Sequence, residues 1–348
     1  MTSELSPVTS PDAAAPRRPA VVRSAWLLAG LGVLVVLAVI SVSFGTRIVS
    51  LDEVLAALGG STDTVGTAAV VSRIPRTVLA MLVGAALALA GTAFQAVTRN
   101  PLADPTILGV SGGASLAVVC GIAFFGLTSP TATTGLAIVG SAVAAVFVYT
   151  IGSLGRGGAT PLKLALAGAA TAAALSSLVS AVLLPRVDVM ETFRFWQIGG
   201  VGGAEWDRIL GIAPVLAAGA LLCLATARGM NSLALGDDLA AGLGVSVART
   251  RALAALGGVI LCGAATAIAG PIGFIGLVVP HACRMLIGTD HRWLLPISAI
   301  AGAGLLTVSD VIGRVVARPS EIEVGIITAI IGAPVFIAIV RRHRVREL

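Results

Sequence analysis

Long apolar runs dominate the chain, each bounded by a short polar or Gly/Pro-rich stretch. A bilayer core of about 30 Å needs about 20 apolar residues per helix. The runs at 26–43, 74–98, 107–127, 133–153, 162–184, 207–227, 252–270, 272–287, 293–316 and 324–340 predict ten membrane helices. The eighth is short and opens on Gly270-Pro271, which suits a half-membrane or interfacial segment. Stretches such as Gly84-Ala85-Ala86 and Ala167-Gly168-Ala169-Ala170 carry almost no side chain. Small residues let helix backbones approach closely in lipid, so a compact all-α bundle is expected. Residues 1–24 hold Pro7, Pro11, Pro16 and Pro19 among Ser, Thr and Ala, and read as a disordered cytoplasmic tail. They do not fit a signal peptide, because the apolar run starts late and has no small-residue cleavage site before Phe44. Residues 25–348 form one transmembrane domain on this reading.

Composition agrees. The 348 residues are 57% hydrophobic and 11% charged, against about 25% charged in a soluble domain. The net charge of +6 is therefore a question of sidedness, not a nucleic-acid footprint. With the N-terminus inside, ten spans put 15 Lys and Arg inside and 8 outside, with 7 acids inside and 10 outside. The excess of inner cations favours this orientation, and an even span count brings the C-terminus to the same side.

Several chemistries are missing. The one lysine, Lys163, follows Pro161-Leu162 and lies in no phosphate-binding loop of the G-x-x-x-x-G-K-[ST] type. No HExxH and no GxSxG nucleophile elbow appears, since Gly109-Val110-Ser111-Gly112-Gly113 has that spacing but lies in a Gly/Ser-rich helix start, and His281 and His291 are ten residues apart on separate elements. Cys120, Cys223, Cys262 and Cys283 lie in or beside apolar runs without a C-x-x-C pair, as buried small hydrophobes do. No enzyme activity, cofactor or metal site is expected. The spans contain almost no acids, with Asp310 near the outer end of the ninth as the exception, and ion-coupled carriers usually carry more. A secondary carrier is thus a weaker reading, and a membrane-embedded enzyme or scaffold weaker still.

Three segments break the apolar pattern. Asn100-Pro101-Leu102-Ala103-Asp104-Pro105, then Leu108 to Ser115, form a double-proline turn and a Gly/Ser-rich helix start. Asn231 to Arg251 forms the longest inner connection, with Asp237 and Asp238 at the start of a short helix. Leu233, Leu235, Leu239 and Leu243 leave a small apolar face on it, and Gly242 and Gly244 end it. A protein partner suits this segment better than lipid, since both aspartates would face an anionic leaflet. The third is Gly270-Pro271-Ile272-Gly273-Phe274-Ile275-Gly276 with Gly288 to Arg292 beyond it. The first and third fall at corresponding places in two five-helix halves, a hint of internal repetition.

Together with Arg73 to Ala114 and Ile331 to Phe336, these segments resemble the FecCD family, permeases of binding-protein-dependent importers for iron–siderophore complexes, haem and cobalamin. The resemblance covers Arg73 to the C-terminus and is weak on cargo. It implies a cobalamin-permease-like bundle in the bacterial cytoplasmic membrane, paired with a second permease copy or a paralogue. It also implies two cytoplasmic ATP-binding subunits and an extracytoplasmic substrate-binding protein. The implied cargo is a ferric siderophore, with haem or cobalamin as the alternative. By the same resemblance Arg73, Arg76 and Arg314 receive carboxylates of the binding protein, although Asp310 and Arg314 at i, i+4 could simply pair. Asn100, Leu102 and Thr160 match inner-gate positions. Leu235, Gly236, Asp237, Asp238, Leu239, Gly242, Leu243 and Gly244 match the coupling helices seated in the ATPase.

Overall fold

The computed structural model describes residues 19–45, 49–101, 103–104, 109–154 and 160–344. They form helices only. In chain order these are α1 (Ala20–Ser43), α2 (Leu51–Leu58), α3 (Val65–Thr98), α4 (Val110–Phe125), α5 (Pro130–Ser153), α6 (Pro161–Leu183) and α7 (Val187–Ile198). Then follow α8 (Trp206–Ala225), α9 (Ala227–Leu233), α10 (Asp237–Gly242), α11 (Val247–Ala269), α12 (Ile275–Ile287), α13 (His291–Val316) and α14 (Val324–Arg344). Each of the ten expected spans corresponds to a helix. Seven of them (α1, α3, α5, α6, α8, α11 and α13) are long and apolar enough to cross a bilayer, while α4, α12 and the apolar part of α14 are shorter. The expected tail falls mostly outside the described residues, and its last part, from Ala20, is already helical.

The connections hold more helix than hydropathy suggests. Ser50 and Glu53 close a capping box that starts α2. Thr64 and Thr67 close a second one, so α3 starts at Val65, nine residues before the expected span at 74. At 34 residues it is about 51 Å long and runs through the middle of the molecule. Val70, Val83, Leu87, Ala90, Phe94 and Val97 of α3 are all buried. Backbones meet where side chains vanish. A Cβ at Gly84 would collide with the Gly302 carbonyl of α13, and one at Gly91 with the Gly276 carbonyl of α12. Gly113 and Gly140 join α4 to α5 in the same way.

The third broken segment explains why α12 is short. The end of α11 is tied to the end of α7 by Gly200 N–H donating to the Ala269 carbonyl at 2.8 Å. The backbone then turns through Gly270 at φ 72° and Phe274 at φ 69° before α12 begins. Gly276 lies against Gly91, within two turns of the end of α3. Residues 270–274 therefore descend through the bundle non-helically, over at most about 17 Å. Helical α12, at 13 residues about 20 Å long, fills the remaining depth. Such backbone is tolerated at membrane depth only inside protein, and Gly270, Ile272 and Ile275 are buried.

Candidate functional site

At one end of the bundle, α1, α3 and α13 meet in a buried charge cluster. Asp310, 1% exposed, accepts from Arg76 Nε at 3.0 Å and Nη2 at 2.8 Å. It also pairs with Arg314 Nη2 at 2.9 Å. Arg314 donates to the Ser41 carbonyl at 2.9 Å, the Phe44 carbonyl at 3.1 Å and Ser41 Oγ at 2.7 Å. Arg73 Nη1 donates to the Val42 and Ser43 carbonyls at 3.0 and 3.2 Å. The last carbonyls of a helix lack internal donors and form its negative end. Here two arginines satisfy those of α1.

The three arginines expected at a docking face sit at different depths. α3 begins at Val65, so Arg73 and Arg76 lie two to three turns inside it, and Arg73 and Arg314 are buried against α1. Their guanidinia are bonded to the α1 carbonyls and, for Arg314, to Asp310. Arg76 alone keeps an edge at the surface, where Nη1 meets the exposed Glu321 at 2.6 Å. Glu323, half-buried beside Gly200, has its carboxyl pushed above the ordinary range by burial. The nearby Arg76 opposes that shift, while Glu321 and Asp310 add to it.

At the other end the three pattern-breaking segments converge. Arg99, in the left-handed region at φ 50°, ends α3 immediately before Asn100. Its guanidinium pairs with Asp237 at the start of α10, and Asp237 also takes Arg251 of α11 at 3.1 Å. Asn231 of α9 donates to Asp290 at 2.7 Å and accepts from His291 N–H at 2.8 Å. Asp290 caps α13, bonded to Arg292, and reaches Arg23 of α1 at 3.2 Å. Burial alone would raise the Asp290 carboxyl, but hydrogen bonds from Arg292 and Asn231 outweigh it and hold it well below the usual carboxylate range.

Gln95 was not singled out from the sequence, yet it joins α3 to α12. Pro280 has no N–H for the Gly276 carbonyl four residues earlier. Gln95 Nε2 donates there instead at 3.3 Å, and Gln95 Oε1 accepts from Arg284 at 2.8 Å. The available signal was Pro280 inside a short apolar helix, which demands an outside donor.

The expected gate and coupling residues fare differently. Asn100 is exposed just past the end of α3. Thr160 is the N-cap of α6, its hydroxyl accepting from Lys163 N–H at 3.4 Å. Leu102 lies outside the described residues. Leu235, Leu239 and Leu243 are exposed on and around the six-residue α10, whereas Leu233 is fully buried, contrary to its expected place on that face. Gly236 and Gly244, at φ 112° and 79°, supply the turns into and out of α10. Asp238 shares the first turn of α10 with Asp237, and Gly242 is its last residue.

Residues 33–342 match the FecCD transport family. The chain is 44% identical over 311 residues to the ferric enterobactin transport system permease protein of Escherichia coli K12, covering 89% of this chain and 92% of that one. It is 41% identical to the iron(3+)-hydroxamate import system permease protein of Bacillus subtilis 168, covering 91% and 83%. It is 40% identical to the hemin transport system permease protein of Yersinia pestis, covering 78% and 82%. A solved metal-chelate type ABC transporter in an inward-facing conformation superposes with a TM-score of 0.80 at 29% identity, over 92% of this chain and 99% of that one.

Proposed function

The chain belongs to the FecCD transport family, and from that membership we propose that it is the membrane-spanning permease of an ATP-driven importer for a ferric siderophore. The observation that carries this reading is the near full-length similarity to ferric enterobactin and ferric hydroxamate permeases. The similarity to a hemin permease supports haem as the second reading. The subunit is a transport component of the cytoplasmic membrane. It works with two ATP-binding subunits inside, a substrate-binding protein outside, and a second permease copy or paralogue.

The site residues take roles within that assembly. Leu235, Leu239 and Leu243 seat in the ATPase with α10, and Asp237 holds α10 to α3 and α11. Gly236 and Gly244 shape the turns, and Asp238, near the helix N-terminus, adds charge that suits the dipole there. Gly242 ends the helix. Asn100, Leu102 and Thr160 border the inner gate. Arg73, Arg76 and Arg314 form the end that receives the binding protein, with Arg76 at its surface edge beside Glu321. The test is uptake of labelled ferric siderophore, haem and cobalamin by a strain deleted for this gene, with and without the gene restored. Restored siderophore uptake alone supports the first reading. Restored haem uptake alone replaces it with the second.

A further inference from the structure

Between α5 and α11 the bundle carries a groove of about 420 Å³ that the transport reading does not use. Phe94 and Val97 of α3 form its buried floor, with Ala145 and Ala255 on facing walls. Val146, Tyr149 and Leu256 form an exposed rim. The hydroxyls in the buried part of the lining are already spent, Ser141 Oγ donating to the Val110 carbonyl at 3.2 Å and Thr98 Oγ1 to the Phe94 carbonyl at 2.7 Å, which leaves only Tyr149 at the rim. A polar chelate entering here would lose its hydrogen bonds to water without replacement, so the groove does not suit the cargo. It suits a hydrocarbon chain.

Depth and charge narrow the occupant. Lining residues on α11 run from Ala252 to Ala264. That places the groove about 8 to 26 Å from the start of α11 at Val247, at the level of acyl chains. Tyr149 lies in the last turns of α5, the interfacial depth where tyrosine is enriched. Cations stand at that same end. Arg249 is exposed one turn before Ala252 and two before Leu256, so it shares their helix face. Lys163 directly precedes Leu164, which lines the groove, and its Nζ lies 3.3 Å from the Leu154 carbonyl at the end of α5. Basic pockets between membrane helices on the cytoplasmic side favour anionic headgroups.

We infer that the groove holds an acyl chain of an anionic phospholipid, with its phosphate near Arg249 and Lys163. The inference depends on the chain's position in the membrane and not on its cargo. In the proposed orientation, the lipid belongs to the inner leaflet.

The test titrates the purified full-length chain with dioleoyl phosphatidylglycerol or dioleoyl phosphatidylcholine and counts retained lipid by native mass spectrometry. The wild type should retain phosphatidylglycerol preferentially. Arg249→Gln and Lys163→Gln should each reduce that preference by about fivefold, the effect of one surface cation near anionic lipid. Both changes are at the surface, so this arm survives even if a core change disrupts folding. Ala255→Phe, which fills the groove, should lower retention of both lipids. Equal retention of the two lipids by the wild type would overturn the inference. So would an unchanged preference in both cation variants, or unchanged retention in a folded Ala255→Phe variant. A Val146→Cys chain that forms disulfide-linked dimers in native membranes would assign the groove to a second copy and equally overturn it.

Discussion

Asp310 was legible from sequence as the exceptional acid of spans that hold almost none, and its pairing with Arg314 as one of two readings of that spacing. The structure adds Arg76, which no local pattern reveals because it lies 234 residues away in sequence. Removing one partner from a buried ion network leaves uncompensated charge and costs about 3–5 kcal/mol. Asp310→Asn should therefore lower the thermal unfolding temperature of the detergent-purified chain sharply, while Glu321→Gln, at the exposed edge, should shift it little. Equal small shifts would mean that the cluster contributes little to stability. Reversing Arg73 to Glu would strip donors from the α1 carbonyls, so lost uptake in that variant counts as lost docking only where its unfolding temperature is unchanged. Gln95→Leu leaves the Gly276 carbonyl without its side-chain donor and Arg284 without its acceptor, a cost of about 1–3 kcal/mol. Asp290 gives a pH test. Its folded carboxyl is held below its unfolded value of about 3.9. Its stabilising contribution is thus fully present above that value and is lost as pH falls through the folded one. Unfolding temperatures of wild type and Asp290→Asn should differ by a constant amount from pH 8 to pH 5 and converge only in stronger acid. Convergence near neutral pH would contradict this.

Among elements, the long apolar helices were readable because twenty consecutive apolar residues have few other solutions in water or lipid. The short helices were harder. α2 and the early start of α3 follow from capping boxes, Ser50 with Glu53 and Thr64 with Thr67, which are local signals that hydropathy averages away. The inward turn of Leu233 and the pairing of Asp237 with Arg99 and Arg251 depend on distant partners. That pairing changes what α10 can do. With Asp237 held by its own chain, the surface left for an ATPase is the leucine face. Leu239→Arg should weaken co-purification of the ATP-binding subunits by tenfold or more, because a charge would enter an apolar contact. Asp237→Asn should preserve co-purification but lower uptake per ATP hydrolysed, since α10 would move without pulling on Arg99 and the segment beside Asn100. Loss of co-purification in Asp237→Asn would instead make that carboxylate a docking contact.

At the scale of the whole molecule, two networks fasten opposite ends of the bundle. Arg73, Arg76, Asp310 and Arg314 bind α1, α3 and α13 at one end. Asn231, Asp290 and Arg23 bind α9, α13 and α1 at the other. The count of cations across ten spans assigns the second end to the cytoplasm, and that assignment can be measured. Leu243 and Glu321 are exposed at the two ends. Cys223, Cys262 and Cys283 are buried, so a membrane-impermeant maleimide should find little background once the half-buried Cys120 is replaced by Ser. On that background Glu321→Cys should label in intact spheroplasts. Leu243→Cys should label only after the membrane is opened. The reverse pattern would invert the orientation, moving α10 away from any cytoplasmic ATPase and the lipid groove to the outer leaflet. The excess of inner Lys and Arg argues against that arrangement, because cationic loops are retained on the cytoplasmic side during insertion.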